Sequence, residues 1–278
     1  MSLGVFLWVI GAALLHAGWN ALVKTGGDKQ SAMLLVAVGN GVVGMMVVGF
    51  YPLPAAQVWP WILASGLVRT VYLLALGYAY GHGDLSRVYP IARGTAPLLV
   101  LLVGGFFLTD VIRPIEAVGI VVLGLGILLM ARGVFTDGES RRLLPFALAS
   151  AAATAGYSII DGIGAREMGQ GVAFTGWALA ATAVFYLPVV LAWEGRGVLR
   201  VSRGEVRAGV VAGLASYLAY SIVVWAMTRA PVLLVAGLRE TSILFAVLIG
   251  WLLFGERMNP GKALAALLIV AGAVLTRL

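Results

Sequence analysis

Three arginines lie inside long apolar segments, where a charged side chain is costly and marks a functional site by default. Arg69 lies near the middle of the third apolar segment, and Arg93 and Arg239 lie at equivalent depths of the fourth and ninth. A guanidinium can bind a carboxylate or a phosphate through two parallel hydrogen bonds. We therefore predict that Arg93 and Arg239 form an anion-binding clamp. The alternative is structural: Arg93 would pair with Glu240, and Arg69 would cap backbone carbonyls.

Few acidic groups share this depth. Glu240 is next to Arg239, Asp161 lies late in the sixth segment, and Glu116 lies close to the start of the fifth. Three arginines against one comparably deep acid leave a surplus of positive charge, which a negatively charged ligand would balance. Glu240, Asp161 and His16 are the predicted proton carriers, the last because imidazole titrates near neutrality. Nothing in the sequence selects among them.

Polar and aromatic side chains also recur at helical spacing. His16 and Asn20 are four residues apart and share one face of the first segment, with Trp19 beside them. For His16 the alternative is a hydrogen bond between helices. Tyr72 and Tyr220, near mid-depth of the third and eighth segments, offer a large contact area with a polar tip. The predicted ligand-binding residues are Arg93, Arg239, Glu240, Tyr89, Tyr72, Tyr220, Trp19, Asn20, His16 and Arg69.

Two prolines flank Arg93. Pro90 and Pro97 each remove a backbone donor from the fourth segment, and Gly94 lies between them. Irregular backbone at membrane depth is tolerated where it lines a cavity or is buried in protein. We predict that Pro90, Gly94 and Pro97 form a hinge and that, with Tyr89, they border the ligand cavity. A kink that serves packing alone is the alternative.

The composition shows which kind of protein must position these side chains. Of 278 residues, 61% are hydrophobic and 11% are charged, whereas soluble domains carry roughly 45–50% and about 25%. This excludes a soluble enzyme, a disordered protein and a DNA-binding domain. The net charge of +7 is not clustered on one soluble module, so no nucleic-acid partner is expected. The chain has no cysteine, which excludes disulfides, iron–sulfur clusters and cysteine zinc sites.

Ten segments are apolar for about the 20 residues that a membrane-spanning helix needs. The chain is therefore predicted to be an all-α polytopic membrane protein in contact with a lipid bilayer. Prolines 114, 231 and 260 fall at helix starts, where the missing N–H costs little. The predicted spans are residues 3–24, 31–50, 59–81, 86–108, 114–133, 143–165, 171–193, 207–228, 231–254 and 260–277.

The two halves of the chain resemble each other. At an offset of 146 residues, segment 89–114 aligns with segment 235–260, and an arginine within a span and an acid followed by proline repeat in register. Chance similarity of apolar helices is a poor explanation for such rare features. We predict a first five-helix repeat over residues 1–135, a loop over 136–142 and a second repeat over 143–278. The aligned pairs are Arg93 with Arg239, Thr95 with Thr241, Gly104 with Gly250, Asp110 with Glu256, and Pro114 with Pro260.

An odd number of spans per repeat requires the repeats to have opposite orientations. Loops on one side of the predicted topology carry twelve lysines and arginines, and those on the other side carry four. By the positive-inside rule the twelve face the cytoplasm, so both termini are predicted to be extracytoplasmic, in a cell inner or plasma membrane. Inverted repeats around a central cavity are the geometry of alternating access. The topology thus favours a secondary transporter.

The end of the second half carries a family resemblance. Residues 255–260 read GERMNP and precede an apolar run over 266–275, and this resembles the end of an EamA-type repeat of the drug/metabolite transporter superfamily. The first half is similar, with Thr109-Asp110 in place of Gly-Glu. The resemblance implies secondary transport, often efflux, of amino acids, nucleobases, sugars, phosphorylated sugars or drugs. It also implies a cavity lined mainly by spans 3, 4, 8 and 9, and phosphate-ester translocators of the superfamily similarly use basic residues on spans 4 and 9.

Three functional interpretations follow. The favoured one is transport of a small anionic or zwitterionic metabolite bearing a carboxylate or phosphate. The second is export of neutral or cationic amino acids, nucleobases or drugs, with Glu240 as the cation site. The third is a non-transporting membrane scaffold. No nucleophile, nucleotide-binding loop or metal-ligand spacing is found, so no enzyme activity, cofactor or metal is expected, and monomer and homodimer both remain open.

Overall fold

The computed structural model describes residues 1–24, 29–82, 85–130, 143–255 and 259–278, and of residues 21–24, 29, 80–82, 85–89, 253 and 254 it describes the backbone only. Long α-helices joined by short connections make up these ranges. Short 3₁₀ turns precede α3 and α8. The helices are α1 (Leu3–Lys24), α2 (Lys29–Val48), α3 (Trp59–His82), α4 (Leu85–Phe107), α5 (Pro114–Met130), α6 (Leu143–Met168), α7 (Gly171–Glu194), α8 (Arg203–Met227), α9 (Val232–Arg239), α10 (Ser242–Phe254) and α11 (Pro260–Leu275).

Within the described residues, eight stretches are helical, long and apolar enough to cross a membrane, with α9 and α10 counted as one stretch. The helices α5 and α11 are apolar but shorter, at 17 and 16 residues, which corresponds to about 25 Å of helix. A multi-pass, all-helical membrane protein is thereby confirmed. Each predicted segment coincides with a helix to within a few residues, except that the ninth is broken into α9 and α10.

Side-chain caps explain where two of these helices begin. The Ser202 hydroxyl accepts a hydrogen bond from the Glu205 N–H at 3.2 Å, while the Glu205 carboxylate accepts one from the Ser202 N–H at 2.7 Å. This reciprocal pair is a capping box at the start of α8. At α11, Asn259 Oδ1 accepts from the Lys262 N–H at 2.8 Å, and Pro260 takes the first helical position. Both arrangements satisfy backbone donors that a helix start leaves unpaired.

The two halves of the chain interlock. The most extensive contacts join a helix of the first half to a helix of the second: α3 packs on α6 and α7, α4 on α6, α1 on α8, α2 on α7 and α8, and α5 on α11. A membrane gives little hydrophobic drive for such packing, so small residues that let backbones approach are needed at the interfaces. A Cβ on Gly44 of α2 would lie 2.5 Å from the Gly176 oxygen of α7, and one on Gly119 of α5 would lie 2.8 Å from the Gly272 oxygen of α11.

The outer surface of the bundle is apolar. On α3, Leu63, Leu67 and Val71 recur every four residues, and each is about half exposed. Comparable exposed stripes run along α8 and α11. Contiguous apolar surface of this extent marks contact with an apolar medium, so these stripes face lipid and the polar side chains discussed below are turned inward.

Candidate functional site

The polar side chains predicted from the sequence converge on one central cavity of about 70 Å³. A volume of that size holds several water molecules. Eight of the ten predicted ligand-binding residues line it: His16, Trp19, Asn20, Arg69, Tyr72, Arg93, Tyr220 and Arg239. Glu240 lies directly behind two of these arginines. Tyr89 is on α4, but its side chain is outside the described residues.

Glu240 joins the two pseudoequivalent arginines. Its Oε1 accepts hydrogen bonds from Arg239 Nε at 3.0 Å and Nη2 at 2.7 Å. Arg93 Nη1 lies 3.4 Å from both carboxylate oxygens. Arg93 and Arg239 are each 3% exposed, and Glu240 is fully buried. The carboxylate therefore holds two guanidinium groups, one from each half of the chain, against the inner face of the cavity.

Arg239 keeps one unused donor. Its Nη1 is buried and has no hydrogen-bond partner among the described residues, while its Nε and Nη2 are bound to Glu240. The guanidinium carbon lies 5.6 Å from the ring centre of Tyr157 and 5.9 Å from that of Tyr220. A buried charged donor without a partner is costly, so this atom is suited to meet an acceptor that enters the cavity.

Arg69 is held in a different way. Its Nη2 donates to Asp161 Oδ2 at 2.5 Å, and its Nε donates to Ser65 Oγ at 3.2 Å. Its guanidinium carbon lies over the rings of Tyr157 and Tyr220, 4.0 and 4.1 Å from their centres. The Tyr220 hydroxyl donates to the same Asp161 oxygen at 2.6 Å. Among the described residues, Arg69 is thus held by side chains rather than by backbone carbonyls: two tyrosine rings, a carboxylate and a hydroxyl.

The expectation of a single deep acid is wrong. Asp161 is fully buried and pairs with Arg69, so its depth matches that of the arginines. The charged cluster of the described residues consists of Arg69, Arg93 and Arg239 against Asp161 and Glu240. Three positive and two negative charges leave a net +1. The surplus of positive charge remains, but it is smaller than the sequence interpretation implied.

His16 sits between two donors. Trp19 Nε1 donates to His16 Nδ1 at 3.2 Å, and His16 Nε2 lies 2.7 Å from Arg93 Nη2. A neutral imidazole offers one acceptor nitrogen, and both neighbours can only donate. A protonated ring would have no acceptor for either. The geometry therefore argues against His16 as a proton carrier in this conformation. Asn20, one turn further along α1, donates a hydrogen bond to the His16 carbonyl at 2.8 Å.

The opposite wall of the cavity contains polar residues that the sequence analysis missed. Asn40 of α2 is 8% exposed and donates through Nδ2 to Ser216 at 3.4 Å, and its buried Oδ1 has no partner within the described part of the chain. Thr182 of α7 lies beside it in the lining. An asparagine in the middle of an apolar segment was the available signal. Within the described part of the chain, no three histidine, aspartate or glutamate side chains are grouped so that they could hold a metal ion.

The backbone break lies in the ninth predicted span. The Glu240 and Thr241 N–H groups bond to carbonyls three residues earlier, Gly237 and Leu238, at 3.1 and 3.0 Å. The Thr241 hydroxyl also donates to the Leu238 carbonyl at 2.7 Å. Such a short 3₁₀ stretch inside a helix marks a hinge or strain. Here it separates α9 from α10 next to the two arginines.

The predicted hinge on α4 looks different. The helix is continuous from Leu85 to Phe107, with Pro90 and Pro97 inside it. Gly94 packs closely on α5, because a Cβ there would lie 2.9 Å from Ile127 Cγ2. In this conformation Gly94 allows the close packing between α4 and α5, and the hinge stays a prediction.

An ion pair and several hydrogen bonds close one end of the bundle. Asp110 accepts from Arg166 Nη1 at 2.7 Å and from the Val232 N–H at 2.5 Å. Arg166 also donates to the carbonyls of Met227 and Ala230, both at 2.9 Å. These contacts join the end of α4, α6, α8 and α9 where α1 begins, and buried apolar side chains fill the space behind them: Val5, Val58, Ile62 and Leu233. The cavity lies on the other side of the arginines, between Trp19, Met33 and Leu76.

Comparison with known proteins gives two findings. Residues 142–278 match the family model described as the EamA-like transporter family. Twenty-nine chains of solved structures match the fold. One of them, a crystal structure whose title says only that it is of a protein, is 19% identical, with a TM-score of 0.76 over 99% of this chain and 98% of its own. At that identity the likeness shows the fold alone. No curated protein matches the chain.

Proposed function

Because the chain is an EamA-type protein of the drug/metabolite transporter superfamily, we propose that it is a secondary active transporter of a small anionic or zwitterionic metabolite. The observation that carries this proposal is the Nη1 of Arg239, which has no partner among the described residues, at a central cavity where the charges of the described residues sum to a net positive value. A carboxylate or a phosphate on the substrate supplies the missing acceptor and the missing negative charge. Charge-assisted bonds from guanidinium to such groups are short and strong.

The ion pairs of Glu240 and Asp161 disfavour a cationic substrate. Glu240, the acid that would hold a cation, already accepts two hydrogen bonds from Arg239 and faces Arg93. A cation entering the cavity would meet two guanidinium groups before it reached that carboxylate. Asp161 offers no replacement, because Arg69 and Tyr220 bind it away from the cavity lining.

Alternating access by two inverted repeats is supported by the helix contacts. If α1 to α5 are exchanged with α6 to α11, α1 corresponds to α6, α2 to α7, α3 to α8, α4 to α9 and α10 together, and α5 to α11. The contact α3–α6 then becomes α8–α1, the contact α2–α8 becomes α7–α3, and the contact α4–α6 becomes that of α9 and α10 with α1. The structure contains all of these contacts. The contacts α2–α7 and α5–α11 map onto themselves. A bundle with this exchange symmetry can open towards either side around one site.

The described conformation is closed at one end. The Asp110–Arg166 contacts and the apolar side chains behind them close the end where α1 begins. In the topology proposed from the twelve-to-four charge distribution, that end is extracytoplasmic and the cavity lies on the cytoplasmic side of the arginines. Ten spans in a cell inner or plasma membrane, with both termini outside, complete the proposal. Opening to the outside then requires the contacts of Arg166 to break and the α9–α10 hinge to move.

Flux measurements test the proposal. Wild-type protein in liposomes should take up at least one anion saturably from a labelled panel of monocarboxylates, dicarboxylates, phosphate esters and amino acids. Arg239→Gln and Arg93→Gln should raise the KM for that anion by roughly ten- to a hundredfold, since a hydrogen bond to a charged group contributes about 1.5–3 kcal/mol. Arg239→Lys keeps the charge and should recover part of the loss.

The matched control is Arg113→Gln, an arginine whose side chain is 55% exposed and which lies away from the cavity. It should leave KM unchanged. Normal affinity in both glutamine variants, with only stability reduced, would show that the arginines are structural. Saturable flux of neutral or cationic compounds alone would favour the exporter interpretation over the anionic one.

A further inference from the structure

Glu240 binds the two cavity-lining arginines from behind, as an anionic ligand would bind them from the cavity. One carboxylate oxygen, Oε1, accepts hydrogen bonds from both Nε and Nη2 of Arg239, and the carboxylate lies 3.4 Å from Arg93. No other carboxylate of the described residues contacts both of these arginines. The protein thus carries its own anion at the point where the proposed function requires an external one.

We propose that the substrate anion displaces Glu240 from Arg93 and Arg239, and that the displaced carboxylate takes up one proton, so that one proton travels with each substrate molecule. This inference rests on the proposed function, because it concerns the same cavity. It also selects among the three proton carriers that the sequence left open.

Once its arginine partners are taken by the substrate, the buried carboxylate of Glu240 has no cation beside it and takes up a proton. Arg239 and Arg93 are the cations in direct contact with it, and the carboxylate is fully buried. A carboxylate buried without a partner takes a proton rather than remain ionised. On α5, the carboxylate of Glu116 is at the first turn and pairs with Arg113. The other titratable and charged groups around the Glu240 region are Arg69 on α3, His16 on α1, Tyr157 and Asp161 on α6, and Tyr220 on α8.

The other two carriers are less suited to exchange. Asp161 is bonded to Arg69 and Tyr220 and does not line the cavity, so an entering anion does not reach its partners. His16 faces two donors, and a protonated ring would add a third cation beside Arg93. Glu240 has partners that line the cavity and that an anion can take over.

The charge balance supports the exchange. In the structure, the described residues of the cluster are three arginines and two carboxylates, a net +1. In the loaded state the three arginines face Asp161 and one substrate charge, while Glu240 is neutral, which again gives +1. Loading therefore buries no additional net charge, which would be costly in a membrane. For a monoanion the step is electroneutral: the anion and the proton enter together.

The experiment measures anion binding against pH. L-Lactate and methanesulfonate serve as probes, because a carboxylate and a sulfonate stay ionised from pH 5.5 to 8. For the purified wild-type chain in detergent, the Kd of the probe should increase by up to tenfold for each unit by which the pH is raised, as binding linked to the uptake of one proton requires. Glu240→Gln removes the internal anion, so it should bind at least as tightly at pH 8 and show no pH dependence. Glu116→Gln, a second buried carboxylate paired with an arginine, should keep the wild-type slope.

A second measurement uses the wild-type chain alone and does not depend on the folding of a variant. With a pH-sensitive dye inside liposomes, uptake of either probe should acidify the lumen by one proton per anion. Anion binding or flux without linked protons, or an equal pH slope in Glu240→Gln, overturns the inference and leaves the proposed function intact. Absence of any anion binding or flux in the wild type overturns the proposed function itself.

Discussion

Substitution of Asp161 by Asn tests whether its ion-pair partner, Arg69, stabilises the fold rather than binds substrate. The Asp161 and Arg69 side chains are 1% and 8% exposed, and they are joined at 2.5 Å. Loss of one partner of a buried ion pair costs about 3–5 kcal/mol, because it leaves the other charge uncompensated. The asparagine oxygen still accepts one hydrogen bond, and the rings of Tyr157 and Tyr220 still cover the guanidinium with about 2 kcal/mol of cation–π attraction. We therefore expect a loss near the lower end, about 3 kcal/mol.

That loss corresponds to a drop of about 6–12 °C in Tm for a chain of this size. Tryptophan fluorescence during thermal unfolding in detergent measures it. Replacement of both partners, Arg69→Met with Asp161→Leu, should cost less than the sum of the two single changes, because no buried charge remains unpaired. Arg207→Gln is the control and should leave Tm unchanged, since Arg207 is an exposed residue of α8.

The reasoning would be refuted by strict additivity of the two single substitutions in this cycle. It would also be refuted if Asp161→Asn kept the wild-type Tm. In the first case Arg69 and Asp161 would not act as a pair, and in the second the guanidinium would find adequate compensation in the two rings. Either result would return Arg69 to the list of arginines available to a substrate.

Two further predictions concern packing and closure. Gly44→Ala should destabilise the protein by about 1–3 kcal/mol, since its Cβ would lie 2.5 Å from a carbonyl oxygen of α7; the control Gly11→Ala has open space and should be neutral or slightly stabilising. An unfolding curve in detergent compares the two, and equal stabilities would contradict the packing argument. Asp110→Asn should weaken the contact with Arg166 and speed thiol labelling of a single cysteine placed at buried Ile62 in this cysteine-free chain; an unchanged rate would show that Asp110 does not hold this end closed.

The spans could be predicted from the sequence because run length and apolarity alone determine them. A segment of about 20 apolar residues has few alternatives to a helix in a membrane. The break between α9 and α10 could not be predicted in this way, because Glu240-Thr241 contains neither proline nor glycine. It depends on a 3₁₀ turn and on a hydroxyl bond from Thr241 to the Leu238 carbonyl, which are set by the tertiary surroundings.

The site was predictable in part. An arginine in an apolar segment indicates a functional site because burying its charge is energetically costly. Eight of the ten predicted side chains indeed line one cavity. The pairing of Asp161 with Arg69 was missed because it depends on how α3 packs on α6 across the two halves. Helical periodicity within one segment says nothing about that packing. Asn40 was missed for a similar reason, since its neighbour Ser216 belongs to α8.

The acid between the two arginines has no counterpart in the first half, and packing explains why. At the offset that aligns Arg93 with Arg239, the residue equivalent to Glu240 is Gly94. A side chain at Gly94 would collide with Ile127, as its Cβ would lie 2.9 Å from that side chain and 3.1 Å from Leu128. The α4–α5 contact thus demands a residue without a side chain, and a carboxylate is possible only in the second half. Two equivalent arginines can then share one acid. This leaves Arg239 Nη1 without a partner among the described residues, and it gives a single position at which an anion and a proton can be exchanged.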